Sequence, residues 1–478
     1  MKTRFKWLAM IMALSLIAAA CGGDDEAEAP ATTAAPVTTA APATTAAPGT
    51  TAAPEEATEE ATGETMAEEE PMMIATDKGV DLEAGVIKVG MLSDLTGPFG
   101  PAVNLLVAGV NTFWADVNAR GGVHGLMVEL LYRDTAYSVD NHVQFFEELR
   151  DEVVAFGHST GSPHTIAILP ELAEDGILAI PLTWYSGWSD PDLNANLLSH
   201  GTSYCIEAMN MIGYLSDVSG ENGVADPTLA IATFPGDYGL DSAAGAKIAA
   251  ETLGLEIVYD GSGQIIPSQD NAPIGNAIAQ SGADIVWVAA NPTTLAEVYG
   301  AALAQGLVAL WSGTVANWSP AFVAPDSPIK DAMTRDFYGA SYFPPYTDDS
   351  PGMQNLRDLM AQYAPEVPPI DYVIEGFVEG MILFEALKVA YENGDMTQRG
   401  VLAAAKSMEE VDFGGIAPNE SYVGSPNERL QRQTWINRPD PEGLAAGTTA
   451  IGTRVIESYY THPIAADYYF EEACYKLS

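Results

Sequence analysis

Apolar and polar residues alternate along this chain in two rhythms, and their order predicts an architecture. Residues 86–92, Val-Ile-Lys-Val-Gly-Met-Leu, form a short apolar run typical of a buried strand. Residues 102–118 follow, with Leu105, Leu106, Val110, Phe113, Trp114 and Val117 at helical spacing, and Gly121-Gly122 closes the segment. The strand signal returns at 128–132, 153–156 and 177–180, separated by helical stretches through Phe145, Phe146 and Leu149 and around 169–174. Strands and helices alternating at roughly thirty-residue steps predict a parallel sheet covered on both faces.

A second set begins after Cys205. Residues 229–233, 256–259, 285–289 and 310–311 read as strands, and 242–253, 274–280 and 293–303 as helices. A further apolar segment at 337–343, a long helix over 372–390 and a strand over 430–437 follow. The 393 residues from Val86 onward exceed the usual size of one core, so two α/β lobes with a cleft between them are expected.

The first 85 residues have a different character. Lys2, Arg4 and Lys6 precede an apolar run of fourteen residues, 7–20, too short for a membrane span but suited to an export signal. The run ends in Ala18-Ala19-Ala20-Cys21, which resembles a bacterial lipobox; that resemblance implies cleavage after residue 20 and lipidation of Cys21. Plain cleavage with a free Cys21 is the alternative. Residues 21–85 are rich in Ala, Thr, Pro and Glu, with Thr-Thr-Ala-Ala-Pro repeated four times between Thr32 and Pro54. So little apolar surface cannot offset the entropy of folding, and a disordered tether is expected.

Charge and cysteines narrow the function classes. The net charge of −45 divides into +3 at Lys2, Arg4 and Lys6, −14 in residues 24–85 and −34 in the body from Val86. An acidic body excludes nucleic acid as a partner, because phosphates are met by Lys and Arg. It equally disfavours a helix lying on anionic lipid, so membrane contact is expected through the lipid alone. Cys205 and Cys474 remain after Cys21, and in an exported protein two such cysteines form a disulfide or stay as separate buried thiols; pairing is the expectation. No spacing fits a metal site, and no cofactor motif is present.

Residues 87–99, Ile-Lys-Val-Gly-Met-Leu-Ser-Asp-Leu-Thr-Gly-Pro-Phe, and 116–125, Asp-Val-Asn-Ala-Arg-Gly-Gly-Val-His-Gly, resemble the opening of type I solute-binding proteins. These are the branched-chain amino acid (Leu/Ile/Val) receptors of ABC transporters. Residues 175–181 and Gly236-Asp237-Tyr238-Gly239 match further landmarks of that family in order, over about residues 86–437. The resemblance implies two doubly wound parallel-sheet lobes joined by a three-segment hinge. Lobe one would take 86–204 and 341–411, and lobe two 205–340 and 412–478. It also implies a monomer outside the cell membrane that hands a small polar solute (an amino acid, amide or carboxylate) to ABC permease subunits. A ligand-sensing lipoprotein without transport is the alternative.

The same resemblance supplies candidate ligand residues. Ser159, Thr160, Gly161 and Ser162 match the family's carboxylate-receiving loop, where hydroxyls and backbone N–H groups meet at a helix N-terminus. Thr183, Trp184 and Tyr185 fall on its next ligand loop, the two aromatics being either a pocket wall or hinge-adjacent core. Tyr238 matches a tyrosine that closes over the ligand, and Thr314 lies near the last ligand loop. There the leucine-type receptors carry a glutamate that pairs with the ligand's ammonium, whereas this chain has Ser312-Gly313-Thr314. Either Asp237 or another acid replaces it, or the ligand is not a standard α-amino acid.

One catalytic-looking motif competes. Gly157-His158-Ser159-Thr160-Gly161 spells the G-x-S-x-G of serine hydrolases. Only two strands precede it, and the downstream histidines His164, His200 and His462 are poorly spaced for a triad. The expectation is therefore a binding protein, with an exported hydrolase using Ser159 as its rival.

Overall fold

The apolar runs pair into two separate sheets. The structure, a computed structural model, describes residues 73–477; the export signal, Cys21 and the tether up to residue 72 lie outside the described residues. In chain order the strands are β1 (Ala75–Thr76), β2 (Val80–Asp81), β3 (Val86–Ser93), β4 (Met127–Asp134), β5 (Ala155–Thr160), β6 (Leu178–Leu182) and β7 (Leu229–Thr233). They continue as β8 (Ile257–Gly261), β9 (Ile285–Ala289), β10 (Leu310–Gly313), β11 (Phe337–Ser341), β12 (Asp395–Met396), β13 (Thr434–Pro439) and β14 (Thr453–Tyr460).

In lobe one β4, β3, β5 and β6 run parallel, and β2 lies antiparallel against the start of β3. In lobe two β11, β10, β9, β7 and β8 run parallel, extended by antiparallel β13 and β14. Every residue of β7 and β9 is buried, as expected where helices cover both faces. The period-two alternation of a strand divides them: Ala230, Ala232, Val286 and Val288 face one core, and Leu229, Ile231, Ile285 and Trp287 the other. Lobe one repeats the scheme, with Leu178 and Ile180 on one face of β6 and Ala179 on the opposite face.

The chain passes between the lobes three times: after β6, after β11 and before β13. The last passage comes later than residue 412, because Phe413, Ile416, Ala417 and Tyr422 still pack in the core of lobe one. Ordered pairing also starts ahead of residue 86: Ala75–Thr76 joins β12, and Val80–Asp81 joins β3. The half-exposed edge strand β14 carries no clear alternation and was not expected from the sequence. Among the described residues, no helix is long and apolar enough to cross a membrane.

One helix–helix contact positions the front of lobe one. The Tyr372–Glu392 helix, 21 residues long, crosses the Gly100–Ala119 helix at a pair of glycines. A Cβ on Gly109 would overlap the Val373 carbonyl oxygen, and one on Gly376 the Leu106 carbonyl oxygen. Only glycine lets the two backbones approach so closely. Gly376→Ala is expected to lower unfolding stability by about 1–3 kcal/mol, the usual cost of overpacking a tight contact; urea unfolding of the two proteins measures it.

Cys205, on the Tyr204–Glu221 helix, is disulfide-bonded to Cys474, 269 residues away in sequence. Around that bond the Tyr185 hydroxyl donates to the Tyr475 carbonyl at 2.6 Å, and the Cys474 N–H donates to Ser186 Oγ at 2.8 Å. The tail therefore ties the first inter-lobe passage to lobe two. Replacing both cysteines by serine is expected to cost about 2–4 kcal/mol of unfolding stability, read as a lower denaturation midpoint than that of the oxidised protein.

Candidate functional site

The two sheets direct their strand ends at a common cleft of about 1360 Å³, counted out to its open mouth. Open α/β sheets hold ligands at the carboxyl ends of their strands. From lobe one, Thr160 and Gly161 at the end of β5, Leu182 to Trp184 at the end of β6, and Leu106 and Tyr372 from the crossing helices line it. Lobe two supplies Tyr204, Asp237, Tyr238, Val315 and Trp318.

The β5 loop is shaped by its sequence. Gly161, at φ +97°, caps the Ser162–Asp175 helix, and Pro163 starts that helix without needing an N–H partner. Alternation along β5 then decides which hydroxyl reaches the cleft. His158 and Thr160 share a face, with His158 Nε2 2.9 Å from Thr160 Oγ1. Ser159 points to the opposite face, where its Oγ meets Thr165 Oγ1 at 2.8 Å and His142 Nε2 at 3.1 Å. Ser159 is fully buried and does not line the cleft. The Ser159–His142 pair lacks a third member, since His142 Nδ1 has no partner, and burial pushes His142 down to about 3.

The remaining candidates divide in the same manner. Thr160, Gly161, Thr183, Trp184 and Tyr238 come together around the cleft. Ser162 and Thr314 stand one layer behind: Ser162 Oγ hydrogen-bonds Thr183 Oγ1, and Thr314 Oγ1 hydrogen-bonds the Tyr238 hydroxyl. That hydroxyl also donates to the Ala290 carbonyl at 2.9 Å, which fixes the Tyr238 ring. Tyr185 is turned away into the core against Trp188, leaving Trp184 as the wall, 5.2 Å from the Tyr342 ring.

Sequence reasoning missed most of the aromatic lining and the acids behind it. Nine aromatic side chains line the cleft, a less polar wall than a small polar solute calls for, and no Lys, Arg or His is among the lining residues. Asp237 faces the β5 loop; burial raises its carboxyl, opposed by a hydrogen bond from Ser162. Glu207 lies behind the last ligand loop, accepting from the Val315 N–H at 2.8 Å and the Tyr342 hydroxyl at 3.0 Å. Burial pushes it up to about 8, against those two hydrogen bonds. Glu375 opens onto the cleft from the Tyr372–Glu392 helix. The available signal was a pair of glutamates four residues apart in the otherwise apolar first part of that helix, residues 372–384.

Two lobes of parallel sheet, joined by three passages around a cleft, define a type I periplasmic binding protein. The chain belongs to the periplasmic binding protein family, whose model matches residues 86–443. It is therefore a non-enzymatic solute-binding protein of the ABC-transporter type. Among solved structures it is similar to the fatty acid ABC transporter substrate-binding protein from Thermomonospora curvata: 26% identity, 83% of this chain and 97% of that chain covered, TM-score 0.73. A branched chain amino acid ABC transporter protein from Thermus thermophilus with bound valine shares 20% identity over 80% of this chain and 98% of that one, at TM-score 0.66. A solute binding protein from Rhodopseudomonas palustris HaA2 in complex with p-hydroxybenzoic acid shares 17% identity over 79% and 98%, at TM-score 0.63. No curated protein matches the sequence.

Glu207 yields a pH-dependence with a definite sign. Its folded pKa lies above the unfolded one, so between about 4.5 and about 8 the folded state holds the extra proton. Stability from this group is full below that window and is lost as pH rises through it. Glu207→Gln keeps the shape and removes the titration. Its melting temperature is expected to gain on that of the unaltered protein between pH 5 and pH 8, in paired thermal melts.

Proposed function

We propose that this protein is the lipid-anchored, monomeric capture subunit of an ABC importer, and that its ligand is a carboxylic acid with an apolar aliphatic or aromatic body. The observation that carries the ligand class is the lining: nine aromatics with aliphatic neighbours such as Val103, Leu106 and Ile370. An apolar body of ligand entering such a wall is favoured by roughly 25 cal/mol per Å² buried. The carboxyl end is received at the Thr160-Gly161 loop, where the Ser162–Asp175 helix presents its N-terminus. Asp237 faces that loop, and the burial that raises its carboxyl lessens its repulsion of a ligand's carboxylate. The fatty acid transporter protein from Thermomonospora curvata supports an apolar acid. Cys21 holds the protein to the outer face of the membrane, and the tether gives the lobes reach to the permease.

A second reading follows from the lack of any basic residue in the lining. Aromatic rings with Asp237, Asp371 and Glu375 also suit an apolar ammonium ion, which is attracted to ring faces.

Paired ligands separate the two. Decanoate and phenylacetate are expected to raise the melting temperature with concentration by mass action, while decylammonium, phenethylamine and leucine leave it unchanged. A shift with the amines alone selects the second reading, and a shift with leucine alone defeats both. Trp184→Ala and Tyr238→Ala are each expected to weaken decanoate binding about tenfold or more, equivalent to roughly 1.4 kcal/mol, by calorimetric titration. Cys21→Ser is expected to move the protein from the membrane fraction to the soluble one.

A further inference from the structure

From Glu375 on the cleft wall a buried cluster runs back to His200 and Glu379, which do not line the cleft. His200, Glu375 and Glu379 are buried together, and one ligand atom from each lies within 4.8 Å of the others. Five of their polar atoms have no hydrogen-bond partner: both ring nitrogens of His200, both oxygens of Glu375, and Oε1 of Glu379. His200 Nε2 stands 3.1 Å from Glu375 Oε1 without hydrogen-bond alignment. Buried polar groups are almost always satisfied, so three side chains with unpartnered atoms, each offering one ligand atom to the same small space, point to an occupant.

The donor set describes that occupant. Glu375 and Glu379 are four residues apart on the Tyr372–Glu392 helix and so share one face, an unfavourable placement for two like charges on their own. Among the described residues only histidines stand within ion-pairing distance of these two acids, Arg and Lys being absent. Glu379 is already oriented: its Oε2 meets His158 Nδ1 at 2.9 Å, while His158 Nε2 is taken by Thr160. That arrangement leaves Oε1 free and is the outer-shell support typical of a metal ligand. An imidazole nitrogen with carboxylate oxygens suits a first-row divalent ion, zinc above all, and not magnesium or calcium, which take oxygen alone. Glu375 also lines the cleft, so the ion's remaining position opens toward it.

We propose that His200, Glu375 and Glu379 bind one zinc ion, with His158 as the positioning residue for Glu379. The ion joins the helix pinned in lobe one to His200, three residues ahead of Ser203, which caps the first lobe-two helix. Metal binding thereby holds one strand of the hinge.

The test uses the tag-free mature protein, stripped with chelator and titrated with zinc by calorimetry. One saturable equivalent is expected, accompanied by a higher melting temperature and undisturbed by millimolar-scale magnesium or calcium. Glu379→Gln and His200→Ala are expected to abolish that equivalent, and His158→Ala to weaken it about 10–100-fold. Cobalt(II) provides a second readout: an intense visible band is expected in the unaltered protein and is lost in Glu379→Gln, whose near-identical shape preserves folding. No saturable zinc site, or zinc binding that survives in Glu379→Gln, overturns the proposal by assigning binding to surface acids or to none.

Discussion

The close crossing of the Gly100–Ala119 and Tyr372–Glu392 helices is the contact on which the front of this protein depends. Without side chains at Gly109 and Gly376 the two backbones touch, and a helix from the late part of the chain becomes part of lobe one. Its first turn brings Tyr372 and Glu375 to the cleft beside Leu106, and its second brings Glu379 to His158. A larger residue at either position would lift the helix off its seat and withdraw all these groups together.

The second constraint is electrostatic. The body is strongly acidic, yet the acids that matter are not on its surface. Glu207, Asp237, Asp241, Glu375 and Glu379 are buried around the cleft and hinge, and burial raises every one of them. Some are held by neutral donors: Asp241 accepts from the Ser186 hydroxyl and N–H, and Glu207 from Val315 and Tyr342. These bonds cross between segments, so the carboxyls act as staples in the passages from one lobe to the other. Glu375 and Glu379 differ because no such donors meet their free oxygens.

The lobes enclose a largely apolar space, and hydroxyls just behind its wall, Thr314 and Ser162, are already hydrogen-bonded to residues that line it. The lobe-two aromatics Tyr238 and Trp318 line this space together with the lobe-one loops. The disulfide tail, bonded to the first passage through Tyr185 and Ser186, limits how far that passage can rearrange.

Much of this was legible in the amino-acid order. Apolar runs of strand length, broken by helical periodicity, determined the two parallel sheets, because burying a strand on both faces demands an unbroken apolar run. The order of landmarks from Ile87 to Tyr238 determined the family, and the loop ends of β5 and β6 followed. What the order left open was settled by packing in three dimensions. Ser159 and Thr160 are adjacent in sequence, yet a strand's alternation sends one into the core and the other to the cleft. Tyr185 and Trp184 part for the same reason of direction. Glu375, Glu379, His158 and His200 lie as much as 221 residues apart, and only the folded chain, through two facing glycines, makes them neighbours.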